Sequence, residues 1–391
     1  MKLVVVGFGQ CGGRIADEFA RLNRRARGQR GIEIIPGAFA VNTDAADLSG
    51  LYTIKSDYQH RILIGGEKTR GHGVAKISEL GAEIAREDAD KVISAVSSAK
   101  RFFETDAFLL IAGAAGGTGS GAMPIMTQQI KERYGDKPVY SMVVLPFEHE
   151  EKTEERTIYN TAVCLKSVYS VADAVFLFDN QRYVRKDFSL RNNIAKINEL
   201  IVEPFYNLLC AGEEKKARHI GAKMLDAGDI MQTLSGWTSI GYGKSPLPLI
   251  KLPFERTRNF RKKSTETHKG IQAMDEALSN LSVQCNPRDA ERALYLLSAP
   301  AKEMNMDLIK ELGDCLRGIA PEAIIRDGDY PRERGAIDVT VILSQLNDVE
   351  KVRDYYAKSA GIVEAIKRKQ ETTARKLSAT EEASKDVPTL L

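Results

Sequence analysis

The sequence predicts an α/β protein, a Rossmann-like parallel-sheet domain joined by a long central helix to a smaller α+β domain. Three observations predict it. Short apolar runs alternate with helical patterns through the first 180 residues, the order expected of βαβ units packed on both faces of a sheet. Two glycine clusters fall directly after strands of that region and open helices. One amphipathic pattern from about Phe188 to Cys210 then divides this region from a mixed stretch at about 230–350.

The strands are read at Leu3–Val6, Phe39–Asn42, Ile62–Ile64, Phe108–Ala112, Tyr140–Leu145 and Val175–Phe178, with helices between them at Arg14–Leu22, Val74–Ala99 and Met126–Tyr134. In the central helix Ile194, Ile197, Ile201, Phe205 and Leu208 follow the 3.6 period. Pro204 should kink it or remove one backbone bond. The run Glu213-Glu214-Lys215-Lys216-Ala217-Arg218 reads as a solvated loop. Beyond it, strands at Leu294–Leu297, Ala323–Ile325 and Ile337–Leu343 flank a helix carrying Leu308, Ile309, Leu312 and Leu316. The end of the chain is polar and of mixed charge, a mobile tail. The expected division is 1–187, 188–229 for the central helix and the loop after it, 230–365, and 366–391 for the tail.

A length of 391 residues fits two domains. Fifty-six Lys and Arg against 53 Asp and Glu leave a net charge of +3, which argues against a dedicated nucleic-acid binder. Five scattered cysteines without metal-ligand spacing argue against a disulfide framework or zinc ribbon and for a reducing cytoplasm. The first residues read as a strand and not as a signal peptide. The longest apolar run, Ala107 to Gly117, is short and broken by glycine, so direct membrane insertion is not expected.

Chemistry concentrates at Gly113-Ala114-Ala115-Gly116-Gly117-Thr118-Gly119-Ser120-Gly121, between a strand and a helix. Glycines let backbone N–H groups turn toward an oxyanion, and the helix N-terminus adds partial positive charge there. The hydroxyls of Thr118 and Ser120 are expected as further donors, Pro124 is expected in the helix's first turn, and Gly135 is expected to end the helix. Phosphate suits this geometry. The loop is not a Walker A sequence, since no lysine follows its last glycine, and Gly243-Lys244-Ser245 reads as a turn. Charge on bound phosphates must then be met by backbone dipoles and Mg²⁺. The cluster Gly7-Phe8-Gly9-Gln10-Cys11-Gly12-Gly13 matches GxGxxG, but the next strand ends at Asn42-Thr43-Asp44, some 35 residues later and not about 20. One nucleotide gripped from two sides is the better reading, and a Rossmann-type nicotinamide oxidoreductase is the competing one.

Gly9-Gln10-Cys11-Gly12, Val41-Asn42-Thr43-Asp44 and Ala115-Gly116-Gly117-Thr118-Gly119-Ser120-Gly121 together resemble the tubulin/FtsZ superfamily, in its order, from residue 1 to about 345. The resemblance implies a GTP/GDP-binding domain, a central helix, a C-terminal activation domain and a cytoskeletal GTPase that polymerises head to tail. It implies nucleotide contacts from Gly9, Gln10, Cys11 and Gly12, and from the loop Gly113, Ala114, Ala115, Gly116, Gly117, Thr118, Gly119 and Ser120. Asp44 would stand near the phosphates and Mg²⁺, and Gly71 and Gly73, flanking His72, would wrap the terminal phosphate. A ribose carboxylate is implied within Glu148, Glu150, Glu151, Glu154 and Glu155, with Glu150 or Glu151 preferred. Asn180 would contact the base. Phe188 and Asn192, four apart on one helix face, would stack on the base and bond its edge. Asp226 and Asp229 resemble the family's synergy loop, where two acids orient water against the next subunit's nucleotide. An ordinary helix N-cap followed by a first-turn acid is the competing reading of that pair.

Within the superfamily, Lys68-Thr69-Arg70-Gly71-His72-Gly73, the segment Val175–Tyr183 and the segment Glu203–Gly212 look most like archaeal CetZ proteins, a group associated with cell shape. The insertion Glu213–Gly221 departs from bacterial FtsZ, and the tail shows no FtsZ-type adaptor peptide, which counts against a division-ring role. The expected partner is another copy of the chain, with an unidentified membrane adaptor left open. A nucleotide-bound scaffold that assembles without turnover is a further alternative.

Overall fold

The computed structural model describes residues 1–184, 190–247, 259–333 and 335–364. Ten strands follow in chain order: β1 Leu3–Phe8, β2 Gly37–Asn42, β3 Arg61–Leu63, β4 Ala107–Gly113, β5 Val139–Leu145, β6 Ala174–Asp179, β7 Gly236–Pro246, β8 Ala290–Ala299, β9 Ile324–Pro331 and β10 Ala336–Leu346. They lie in one sheet in the order β3-β2-β1-β4-β5-β6-β7-β10-β8-β9. The first six are parallel, and β7 joins β6 in parallel through Ala174–Gly236, Val175–Trp237 and Phe176–Thr238. The rest of β7 pairs antiparallel with β10, β10 pairs antiparallel with β8, and β8 and β9 are parallel. The two halves of the chain therefore share a sheet as well as a central helix.

Alternation within the strands explains the two-faced packing. Val4, Val6 and Phe8 of β1, with Phe108, Leu110 and Ala112 of β4, enter one apolar core, while Leu3, Val5, Leu109 and Ile111 enter the other. The first core is covered by helices Ser78–Glu87, Ala89–Ser97, Thr118–Arg133 and Glu155–Tyr169. The second is covered by helix Gly9–Arg30 and the central helix Leu190–Ala211, whose Phe19 and Phe205 rings meet edge-on at 5.3 Å. Arg25 braces the same pair of helices with a two-pronged contact to Glu203, at 2.8 and 3.0 Å, and lies over the Tyr206 ring.

Four sequence expectations need correction. The stretch Val74–Ala99 is two helices and not one, because Asp88 closes the first and turns its carboxylate onto the Gly65 amide at 2.6 Å. Pro124 sits at the seventh residue of helix Thr118–Arg133, beyond the first turn, and that helix ends one residue before Tyr134. Gly243, Lys244 and Ser245 are strand, not turn: the run pairs with Asp338, Val339 and Ile337 of β10, and Gly243 has the Ala273 carbonyl where a side chain would be. The stretch at 213–218 is partly buried. Glu213 pairs with the Met1 amine at 2.9 Å, and Glu214 is buried and accepts from the Tyr330 hydroxyl at 3.2 Å. Beyond these expectations, a helix at 350–364 returns to the first domain, where Lys351 meets Asp179 at 3.3 Å and Tyr355 donates to Glu151 at 2.5 Å. The tail at 366–391 and Phe188 lie outside the described residues, as does the side chain of Asn192.

Candidate functional site

Parallel strands place their C-terminal ends, and the loops leaving them, on one edge of the sheet, where α/β proteins form clefts. Here β1, β2, β4, β5 and β6 surround a cavity of about 350 Å³, within the range of small-ligand pockets. The two glycine loops meet in it. Gly9 has φ of +68°, and a Cβ there would stand 3.1 Å from the Gly119 amide nitrogen. Close backbone contact and a left-handed conformation both require glycine at that position.

Helix Thr118–Arg133 begins at Gly117 with no side-chain cap. Its first N–H groups therefore remain for a ligand, with the helix dipole behind them. Thr118 lines the cavity and shares a hydrogen bond with Thr43 at 2.6 Å. Ser120 does not behave as expected: its hydroxyl donates back to the Gly116 carbonyl, within the loop. The expected second hydroxyl donor is thus spent on holding the loop's own shape.

Of the anticipated residues, Gly9, Gln10, Cys11, Asp44, Gly73, Gly113, Ala115, Gly116, Gly117, Thr118, Gly119, Glu150 and Asn180 line this cavity. Gly12 lies beneath it against the Ile111 carbonyl. Gly71, Ala114, Ser120 and Glu151 are not among its lining residues. Glu151 turns to Tyr355 and Lys358, whereas Glu150 accepts from the Phe147 amide at 2.9 Å on the cavity wall. Asp44 Oδ1 caps helix Ala45–Ser49 by accepting from the Ala46 and Asp47 amides, at 2.8 and 3.1 Å. Burial pushes the Cys11 thiol up to about 12, with Glu150 adding to the shift. A thiol shifted in this way stays protonated at neutral pH.

Sequence reasoning missed Arg14, Asn42, Asp47 and Lys76, which also line the cavity. Asp47 receives Gln10 at 2.6 Å and Asn42 at 3.1 Å, so three wall residues hold one another. Asn160, fully buried outside the cavity, is the other omission. Its amide donates toward the carbonyls of Lys76, Ala115 and Gly116, at 2.9, 3.1 and 3.3 Å, while its oxygen accepts from Ser78 at 2.9 Å.

Asp226 and Asp229 do not line the cavity. Asp226 is the N-cap of helix Ala227–Thr233 and accepts from the Asp229 amide at 2.9 Å, so the capping geometry is realised. Asp226 remains exposed, and Asp229 faces Arg326 of β9 at 3.7 Å. The preceding turn is tied to the same strand: Asp329 accepts from the Ala222 and Lys223 amides at 3.0 and 2.6 Å.

Two family descriptions divide the chain between them. Residues 2–186 match the Tubulin/FtsZ family GTPase domain, and 187–361 match the tubulin-like CetZ C-terminal domain. Tubulin-like protein CetZ1 of Haloferax volcanii is 33% identical over 371 residues, covering 90% of each chain. The chain belongs to the CetZ branch of the tubulin/FtsZ family. The structure of CetZ1 from Haloferax volcanii as a GDP-bound monomer is 29% identical, with a TM-score of 0.78 over 93% of this chain and 99% of that one. The GTPγS-bound protofilament of CetZ2 from the same organism is 25% identical, with a TM-score of 0.80 over 94% and 100%. Among the described residues, no helix of this CetZ chain is long and apolar enough to cross a membrane.

Proposed function

We propose that this chain binds and hydrolyses GTP in the cytoplasm and polymerises head to tail into filaments that act on cell shape. The observation that carries the proposal is a separation. The phosphate-binding loops converge on one cavity, while the paired carboxylates Asp226 and Asp229 stand outside it, on a helix beside β8 and β9. A carboxylate pair outside the cavity can act on a nucleotide only if a second copy brings it there. The CetZ2 protofilament supports this stacking, and a contact that repeats without closing gives an open filament.

In this reading the backbone amides at the start of helix Thr118–Arg133 hold the phosphates, and Glu150 accepts from the ribose hydroxyls. Asn180, at the end of β6, meets the base. Asp44 uses Oδ1 for capping, which leaves Oδ2 to bind Mg²⁺ or its water; oxygen donors of this kind suit that ion. Mg²⁺ would supply neutralisation of phosphate charge. Asp226 of the next subunit, its Oδ1 fixed on the Asp229 amide, orients the attacking water with Oδ2.

The test is GTP turnover as a function of protein concentration, read beside electron microscopy. Specific activity should rise with concentration as filaments appear. The Asp226→Ala variant should bind GTP normally and lose on the order of a hundredfold in turnover, the usual scale for removing a positioned catalytic group. Turnover by Asp226→Ala at the parental rate, or specific activity independent of concentration, refutes the shared-site mechanism. Altered cell outline with normal division in cells lacking the chain would support the shape role over a division ring.

A further inference from the structure

The glycine loop carries no cation, and among the described residues two basic side chains, Arg14 and Lys76, line the cavity. Lys76 occupies an unusual backbone position. Ala75 and Lys76 both have positive φ, 47° and 61°, a region unfavourable to residues with a Cβ. Such strain persists only where the surroundings impose it. Here the Lys76 carbonyl accepts from Arg156 and from buried Asn160, each at 2.9 Å, and the same Asn160 amide reaches the carbonyls of Ala115 and Gly116. The Lys76 backbone is so close to the glycine loop that a Cβ at Gly117 would lie 2.8 Å from its carbonyl carbon.

The side chain is held quite differently. Lys76 Nζ pairs with Glu154 at 2.8 Å, and both side chains are more than 40% exposed. An exposed pair of this kind contributes little and exchanges readily. A fixed backbone with a loosely committed ammonium is suited to a point charge that changes partner.

The cavity also has a direction. Asn180 follows β6 and Asp44 follows β2, four strand spacings apart in the sheet, or about 19 Å at ~4.8 Å each. Base and ribose contacts belong at the β6 end. Lys76 lies against the glycine loop after β4, at Gly117, in the turn that continues from Gly73, whose amide donates to the Thr43 carbonyl.

We propose that Lys76 supplies the side-chain cation for the terminal phosphate, with Glu154 as its competitor, so that the pair sets the preference for nucleoside triphosphate over diphosphate. This rests on the nucleotide reading of the cavity. A diphosphate leaves Lys76 with Glu154; a triphosphate offers more negative charge, backed by the glycine-loop amides, and draws Nζ across.

The test compares affinities for GTPγS and GDP in Mg²⁺ by calorimetric titration. Lys76→Gly removes the cation while suiting the left-handed backbone, so it should melt no lower than the parent. Its triphosphate-to-diphosphate preference should fall roughly tenfold or more, the scale of one charge-assisted phosphate contact. Glu154→Gln should raise that preference, and the rise should vanish in the double variant. An unchanged preference in Lys76→Gly overturns the proposal; if that variant fails to fold, an unchanged preference in Glu154→Gln does so. A parent that binds no guanine nucleotide would refute the reading of the cavity instead. The same variants titrated with inorganic tripolyphosphate and pyrophosphate would then decide the role of Lys76 by the same criterion.

Discussion

Removing the Asn160 side chain should cost more stability than its remoteness from the ligand suggests. Asn160 is completely buried, and its one amide serves three carbonyls in two loops, Lys76 in one and Ala115 and Gly116 in the other. With two N–H groups to share, about two of those bonds count at once. The bond accepted from Ser78 adds a third. At about 1 kcal/mol net per bond, and with carbonyls left desolvated and unpaired, Asn160→Ala should lose about 3–4 kcal/mol. That is a large part of a typical folding free energy of ~5–15 kcal/mol. Asn160→Asp should be no better, because a carboxylate cannot donate and would face the same three oxygens. Urea unfolding followed by circular dichroism measures the loss, and nucleotide titration should show weaker binding as the two loops come apart. A loss below about 1 kcal/mol with parental affinity would refute the clamp.

Gly81→Ala should destabilise by about 2 kcal/mol, because its Cβ would lie 2.5 Å from the Gly117 carbonyl oxygen and 3.3 Å from Thr118 Cα, both backbone atoms of the glycine loop. Gly28→Ala is its counterpart: nothing lies within 4 Å, so the change should stabilise helix Gly9–Arg30 by about 0.5–1 kcal/mol, and thermal unfolding of the two variants should move in opposite directions. His219 is held below its usual value of 6.5, first by burial and then by the nearby Arg30 guanidinium. The unfolded chain therefore binds this proton more readily than the folded one, so stability falls as pH drops through 6.5 toward the folded value and is unaffected above 6.5. His219→Gln should flatten the fall in melting temperature between pH 7.5 and 5.5, and an identical slope in parent and variant would rule out the assignment.

The strands of the first domain were legible because each is a local apolar run, and the glycine loops because they follow those runs directly. Strand β7 was not. Its Gly243 reads as a turn residue in sequence, yet Gly241 and Gly243 are small because helix Asn259–Ser279 packs its carbonyls against them. The break at Asp88 was hidden for a similar reason, since the Gly65 amide that Asp88 accepts comes from 23 residues earlier.

The site divides in the same way. Sequence alone determined where an anion could be gripped, since backbone amides after a strand need only glycines and a helix start. It also determined that an acid pair follows the central helix. Tertiary structure decided which side chains share the cavity: Lys76 reaches it through bonds to Arg156 and Asn160, 80 and 84 residues away. It also chose Glu150 over Glu151 for the wall, by turning Glu151 to Tyr355, 204 residues on. The acid pair was set apart from the cavity by Asp329, which holds the turn before Asp226 to β9. Spacing along the chain carries what a loop and its own backbone can do, whereas contacts between distant segments exist only once the sheet has brought them together.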